Sequence, residues 1–190
     1  MDCESAVKEL EAKKKVVEED TLKLRGCEEE LLKSLRSKAE CRTRKKLLYA
    51  LCKLYENDPG SLKLSELVEV IKEELEGDCP WSKGTAAEFA GKLKIEDVEV
   101  VERVVEALRD SCPWVRHRAA DALSYFCKNP EFAKIAYRAL VERLEEDSSP
   151  YVQNYAFHAL KVCLETFTSQ GMEKEAGEVK KAMEKIIPLS

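Results

Sequence analysis

The chain has 190 residues, 36% charged and 44% apolar, with a formal net charge of −5 and an isoelectric point near 5.4. That balance excludes a disordered polymer, and the acidic excess argues against non-specific nucleic-acid binding as the main activity. No apolar run approaches the roughly 20 residues that a membrane span needs, and "MDCESAVKEL" lacks the basic and apolar regions of a signal peptide, so a cytoplasmic location without membrane association is expected.

In chain order, "CESAVKELEAKKKVVEEDTLKLRG" reads as a helix ended by Gly26, and "EEELLKSLRSK" as a second. Leu31, Leu32 and Leu35 echo Leu67, Val68 and Ile71 further on, which makes residues 1–38 an N-terminal helical cap or degenerate repeat. The alternative is one long helix with a loose heptad at Cys3, Val7, Leu10, Val17, Leu24 and Leu31, interrupted by Lys14 and Thr21. The next stretch, "CRTRKKLLYALCKL", continues a basic run of Arg36, Lys38, Arg42, Arg44, Lys45 and Lys46 against the single acid Glu40. Arg and Lys contact phosphates without reading sequence, so Arg42, Arg44, Lys45 and Lys46 are candidate phosphate-binding residues. No aromatic is interleaved in the run to stack bases, and a solvated corner between helices is the plainer reading.

From residue 78 a motif is written three times. Asp78 is followed by "CPWSKGTAAEFA", Asp110 by "SCPWVRHRAADAL" and Asp147 by "SSPYVQNYAFHAL". The prolines, Pro80, Pro113 and Pro150, are 33 and 37 residues apart, a period that marks stacked helical repeats. Proline suits the first turn of a helix, where its missing N–H leaves nothing unpaired, and Ser149 is a good N-cap. Each motif therefore opens a helix, the A helix of its repeat. A second, B helix follows each time, with apolar stripes predicted at Leu67, Val68, Ile71 and Leu75; at Val98, Val101, Val105 and Leu108; at Phe132, Ile135, Ala136, Ala139, Leu140 and Leu144; and at Met172, Ala176, Val179, Met183 and Ile186. The last helix, to Ile187 and followed by "PLS", reads as a C-terminal cap. The repeats are bounded at about 39–77, 78–110, 111–147 and 148–190. No unit buries its apolar stripe alone, so neighbours must stack.

The motif carried by Asp110, Val115, Arg116, Ala119, Ala122 and Leu123, and less fully by Asp147, Val152, Ala156, Ala159 and Leu160 with Gln153 in place of Arg, resembles that of HEAT-like repeats. The resemblance implies an all-α fold, a right-handed α-α superhelix (HEAT-like solenoid) of about four to five helix pairs, with the B helices along its concave side. Charge differs between the layers. Six acids and two bases lie over Glu96–Asp110, and five bases and one acid over Ala39–Leu54. The expectation is an acidic B-helix face, represented by Glu99, Glu102 and Glu106, that takes a protein partner with a basic surface. The plainer reading is a solvated face with i,i+4 pairs such as Glu99–Arg103. The aromatic after each proline, Trp81, Trp114 and Tyr151, is either an interface anchor or a filler between repeats.

Catalysis is not expected, nor is any cofactor or metal. Some alkylpurine DNA glycosylases use HEAT-like repeats, with a carboxylate and aromatics in a basic groove; Trp81, Trp114, Arg116 and Asp121 supply the residue types, but the inferred groove has the opposite sign. The iron-binding His-Glu pairs of deoxyhypusine hydroxylase, another HEAT-repeat enzyme, have no counterpart, since neither His117 nor His158 precedes Glu. Of eight cysteines, none forms a CxxC motif, and most read as small apolar residues. Cys79 and Cys112 align with Ser149 and read as capping residues. Disulfides are compatible with an intracellular protein of a hyperthermophile.

Overall fold

The computed structural model describes residues 2–37 and 40–186, and Lys38, Ile187 and the "PLS" tail lie outside them. Among the described residues there are eleven α-helices and no strand, and no helix is long and apolar enough to cross a membrane. The chain forms two compact units, Met1–Ala86 and Ala87–Ser190.

In the first unit the N-terminal region is neither one helix nor two. It forms α1 (Cys3–Ala12), α2 (Glu18–Leu22) and α3 (Glu28–Arg36). Asp2 caps α1, accepting the Ser5 N–H at 2.9 Å. The break after α1 is made by Asp20, whose carboxylate accepts the Val17 N–H at 3.1 Å and Lys13 Nζ at 2.6 Å, so that a second N-terminus outcompetes continuation of the first helix. Gly26 turns the chain at φ +79°, a left-handed conformation that favours glycine. All three short helices pack on α4 (Cys41–Asn57), whose Leu47, Leu48, Ala50, Leu51 and Cys52 are fully buried. Helix α5 (Leu64–Glu76) buries Leu67, Val70, Ile71 and Leu75, with Val70 taking the place expected for Val68. Helix α6 (Pro80–Lys92) opens at its proline, as the repeat predicts.

The second unit continues with α7 (Val98–Ala107), α8 (Pro113–Phe126), α9 (Pro130–Glu146), α10 (Pro150–Ser169) and α11 (Glu173–Ile186). Consecutive helices pack as neighbours, and α8 also packs on α10 and α7 on α9. Pro113, Pro130 and Pro150 each sit in the first helical turn. Asn129 caps α9, accepting the Glu131 N–H at 3.0 Å. Cys112 and Ser149 hold the N-cap positions of α8 and α10 but make no side-chain cap bond. The acids two residues earlier serve those turns instead, Asp110 accepting the Cys112 N–H at 2.8 Å and Asp147 the Ser149 N–H at 2.9 Å. Helix α7 buries Val100, Val101, Val104 and Ala107 and leaves Val98 54% exposed, so its buried face is rotated from the expected Val98–Val105 stripe. Close approach of α6 and α8 depends on Gly91: a Cβ there would lie 2.7 Å from the Ala122 Cα.

The cysteines are not simply apolar filler. Three disulfides form: Cys3–Cys27, Cys41–Cys79 and Cys127–Cys163. Cys79 also plays the capping part expected of it, because its sulfur accepts the Ser82 N–H at 3.3 Å. Cys52 is buried in α4 outside these bridges, and Cys112 keeps its thiol.

The motif's Asp and Arg have a structural use. Arg116 grips Asp147, the acid that opens the next motif, with Nε to Oδ2 at 2.7 Å and Nη2 to Oδ1 at 2.9 Å. Its Nη1 donates to the Asp110 and Ser111 carbonyls at 2.9 and 3.1 Å. The Asp147 side chain has no exposure and that of Arg116 only 10%. Gln153, in the equivalent position one repeat later, makes only the carbonyl bond, to Asp147 O at 2.8 Å.

Candidate functional site

On α7 the capping Asp97 accepts the Val100 N–H at 3.0 Å, which sets the helix start and its rotation. Opposite the buried valines, Glu99, Glu102 and Glu106 are exposed at i, i+3 and i+7, on one side of the helix. Glu99 meets Arg103 at 2.7 Å, as the i,i+4 reading expects. Glu106 meets Arg109 at 3.1 Å, which also reaches Glu142 of α9 at 3.7 Å.

The aromatics after the prolines have three different environments. Tyr151 is 75% exposed. Trp114 is half-buried, with the Arg118 guanidinium 4.3 Å from its ring centroid and His117 packed edge-on at 5.4 Å. His117 in turn lies 4.6 Å from Tyr155 of α10. Burial, with Arg118 close by, holds the His117 imidazole below its ordinary pKa. Burial raises the Asp121 carboxyl against the pull of Arg118, and Arg118 is also paired with Glu88 at 3.3 Å. The glycosylase-type residues do not assemble: Arg116 is turned inward onto Asp147, while Trp114 and Asp121 share a different face of α8 with Arg118. Trp81 is 44% exposed and belongs to a different cluster.

That cluster is a pocket of 460 Å³ in the first unit, lined by Lys14, Lys15, Val16, Arg42, Lys45, Lys46, Tyr49 and Trp81. Three of the four basic-run residues singled out in the sequence line it. Arg44 does not: its guanidinium is turned to α5, where it pairs with the buried Glu74, and it also donates to the Leu35 carbonyl at 3.1 Å. Ser82 Oγ donates to the same Glu74 carboxylate. The sequence reading missed Lys14 and Lys15, which come from the α1–α2 connection, and Tyr49; it singled out Trp81 as an interface aromatic but did not place it beside the basic run. Tyr49 lies one helical turn beyond Lys45 on α4, and Trp81 arrives from α6 with Lys45 Nζ 5.4 Å from its ring centroid. The Cys41–Cys79 disulfide joins the starts of the two helices that carry these side chains.

Among the described residues no group of three or more His, Cys, Asp or Glu side chains is arranged to hold a metal ion. His117 is packed between aromatics, and His158 lies edge-on to Phe157 at 6.2 Å.

Paired helices with repeat-to-repeat ties define a helical-repeat protein of the α-solenoid class. A family model described as HEAT repeats matches residues 68–161. Similar solved structures include two engineered proteins, each 18% identical. One has a TM-score of 0.64 with 99% of this chain and 96% of that one covered; the other has 0.62 with both chains covered in full. A designed armadillo repeat protein is also 18% identical, with a TM-score of 0.61 over 96% of this chain and 92% of that one. No curated protein matches the chain. Residues 68–161 are thus HEAT repeats, and the chain has the helical-repeat solenoid fold that the engineered and designed repeat proteins share.

Proposed function

We propose that the protein is a non-catalytic scaffold or adaptor that binds a protein partner with a basic surface through the outward face of α7. The observation that carries this reading is the run of Glu99, Glu102 and Glu106, exposed along one side of a helix whose other side is buried. Such a face steers a cationic partner and sets its register. Trp114 and Tyr151 in the second unit and Trp81 in the first are the exposed or half-exposed aromatics that supply apolar anchors, since large aromatics dominate interface energetics. The helical-repeat fold supports the reading, because stacked repeats offer extended binding surfaces. Its location in this reading is the cytoplasm, where disulfides persist in intracellular proteins of hyperthermophiles.

The test is the triple reversal Glu99→Lys, Glu102→Lys, Glu106→Lys, with binding of a lysine-rich peptide followed by calorimetry at about 0.05 and 0.15 M salt. Affinity for the peptide is expected to fall at least tenfold and to lose its salt dependence. Unchanged binding retires the α7 face.

A further inference from the structure

We infer that the pocket of the first unit is a binding site for single-stranded nucleic acid, taking one or two nucleotides with an unstacked base held against Trp81 and Tyr49. Five cations line it, Lys14, Lys15, Arg42, Lys45 and Lys46, and no carboxylate is among its lining residues. In a chain of net charge −5 this is a local reversal of sign. Its 460 Å³ is within the size range of ligand pockets and matches a nucleotide rather than a folded partner.

The arrangement of the cations selects the ligand. Arg42, Lys45 and Lys46 follow one another at i, i+3 and i+4 along α4 and so share a face, while Lys14 and Lys15 face them from the α1–α2 connection. Charges spread over two segments fit successive backbone phosphates. A compact polyphosphate is cradled instead by glycine-rich backbone N–H groups, and no glycine lines this pocket. Lys46 is anchored by donation to the Glu11 carbonyl at 2.5 Å, which ties α4 to the end of α1 beside Lys14 and Lys15.

The aromatics decide between a strand and a duplex. Trp81 exposes 44% of its surface beside Lys45, and Tyr49 is half-exposed on the same wall. A phosphate held by Lys45 brings its own or the adjoining base to the indole face. Only an unstacked base can use that face, and stacking of this kind tolerates any sequence. The Cys41–Cys79 bond fixes the spacing between the cationic helix and the indole.

The experiment uses the full chain carrying Trp114→Phe, which leaves Trp81 as the only indole, and a fluorescein-labelled eight-residue oligothymidylate at about 0.05 M salt. Expected are quenching of Trp81 emission on binding and a slope of log affinity against log salt of about −1.5 to −2, the release expected for the two or three phosphates that flank one or two nucleotides. Lys15→Gln with Lys45→Gln should weaken binding at least tenfold, and Trp81→Ala about fivefold or more, the low end of base–aromatic stacking. Lys161→Gln, an exposed lysine of the second unit, should change nothing. Circular dichroism confirms that each variant is folded, and Trp81→Leu repeats the measurement should the alanine variant unfold. Absence of quenching, equal binding of the same-length duplex, equal binding of free thymidine monophosphate or pyrophosphate, or full affinity in the folded Trp81 variant each overturns the proposal.

Discussion

The two units solve the same packing problem with different means. In the second, helices of 10 to 20 residues stack in regular pairs, and one buried guanidinium–carboxylate grip joins neighbouring motifs. In the first, α1, α2 and α3 have 10, 5 and 9 residues, too short to bury much surface, and two disulfides tie this unit together. Its buried ionic group is also assembled differently: Arg44 reaches a glutamate of α5, and a serine of α6 completes the coordination. The second unit has a disulfide of its own, Cys127–Cys163, so the difference is one of degree: its longer helices stabilise one another by stacking, whereas the short helices of the first unit lean more on covalent links that restrict the unfolded chain.

The largest expected effect breaks the second unit's grip. Asp147→Ala leaves the Arg116 guanidinium buried without its carboxylate and should cost about 3–5 kcal/mol of unfolding free energy, measured by urea denaturation, with hydrogen exchange assigning the loss to residues 87–186. The same carboxylate has a pH signature. Burial alone would raise its pKa, but the bonds from Arg116 and the Ser149 N–H outweigh burial and hold it below the usual range. With the folded value below the unfolded one, its stabilisation is complete above about pH 4 and is lost as pH falls through the folded value. An Asp147→Asn variant should therefore show a flatter loss of stability on acidification.

Opening the Cys41–Cys79 link sharpens the contrast from the other side. The paired change Cys41→Ser, Cys79→Ser should cost the first unit about 2–4 kcal/mol, the effect of freeing a loop of this length, with exchange protection in α7–α11 unaltered. Equal losses in both units would mean that the covalent link is not a local staple. The smallest of the three, Gly91→Ala, forces a methyl group into the Ala122 backbone and should cost about 1–3 kcal/mol, typical of overpacking; an unchanged midpoint in urea would show that α6 and α8 can part without loss.

Much of the fold was legible because its signals are local. A proline in the first turn, an acid before it and alanines at helical spacing act within a few residues, and Pro80, Pro113 and Pro150 each open a helix. The break between α1 and α2 was not legible as a break, because it arises from a competition for the Val17 N–H that Asp20 wins only with Lys13 beside it. The rotation of α7 escaped for a related reason: valines at 98, 100, 101, 104 and 105 allow more than one apolar face, and packing against α8 and α9 selects one. Within the candidate pocket, the run Arg42–Lys46 was visible. The basic stretch has no aromatic inside it before Tyr49, so the stacking partner supplied by α6 left no trace beside it.

The sequence alone determined a helical-repeat chain, the starts of its proline-led helices and the separation of acidic from basic helices, since these follow from backbone chemistry and periodicity over a few turns. Tertiary structure decided which cysteines pair, which arginines are turned inward and which residues share the pocket. Those outcomes join positions 24 to 38 residues apart in the disulfides and bring Trp81 to Lys45. Such distances along the chain carry no local signal, and only the stacking of one helix on the next closes them.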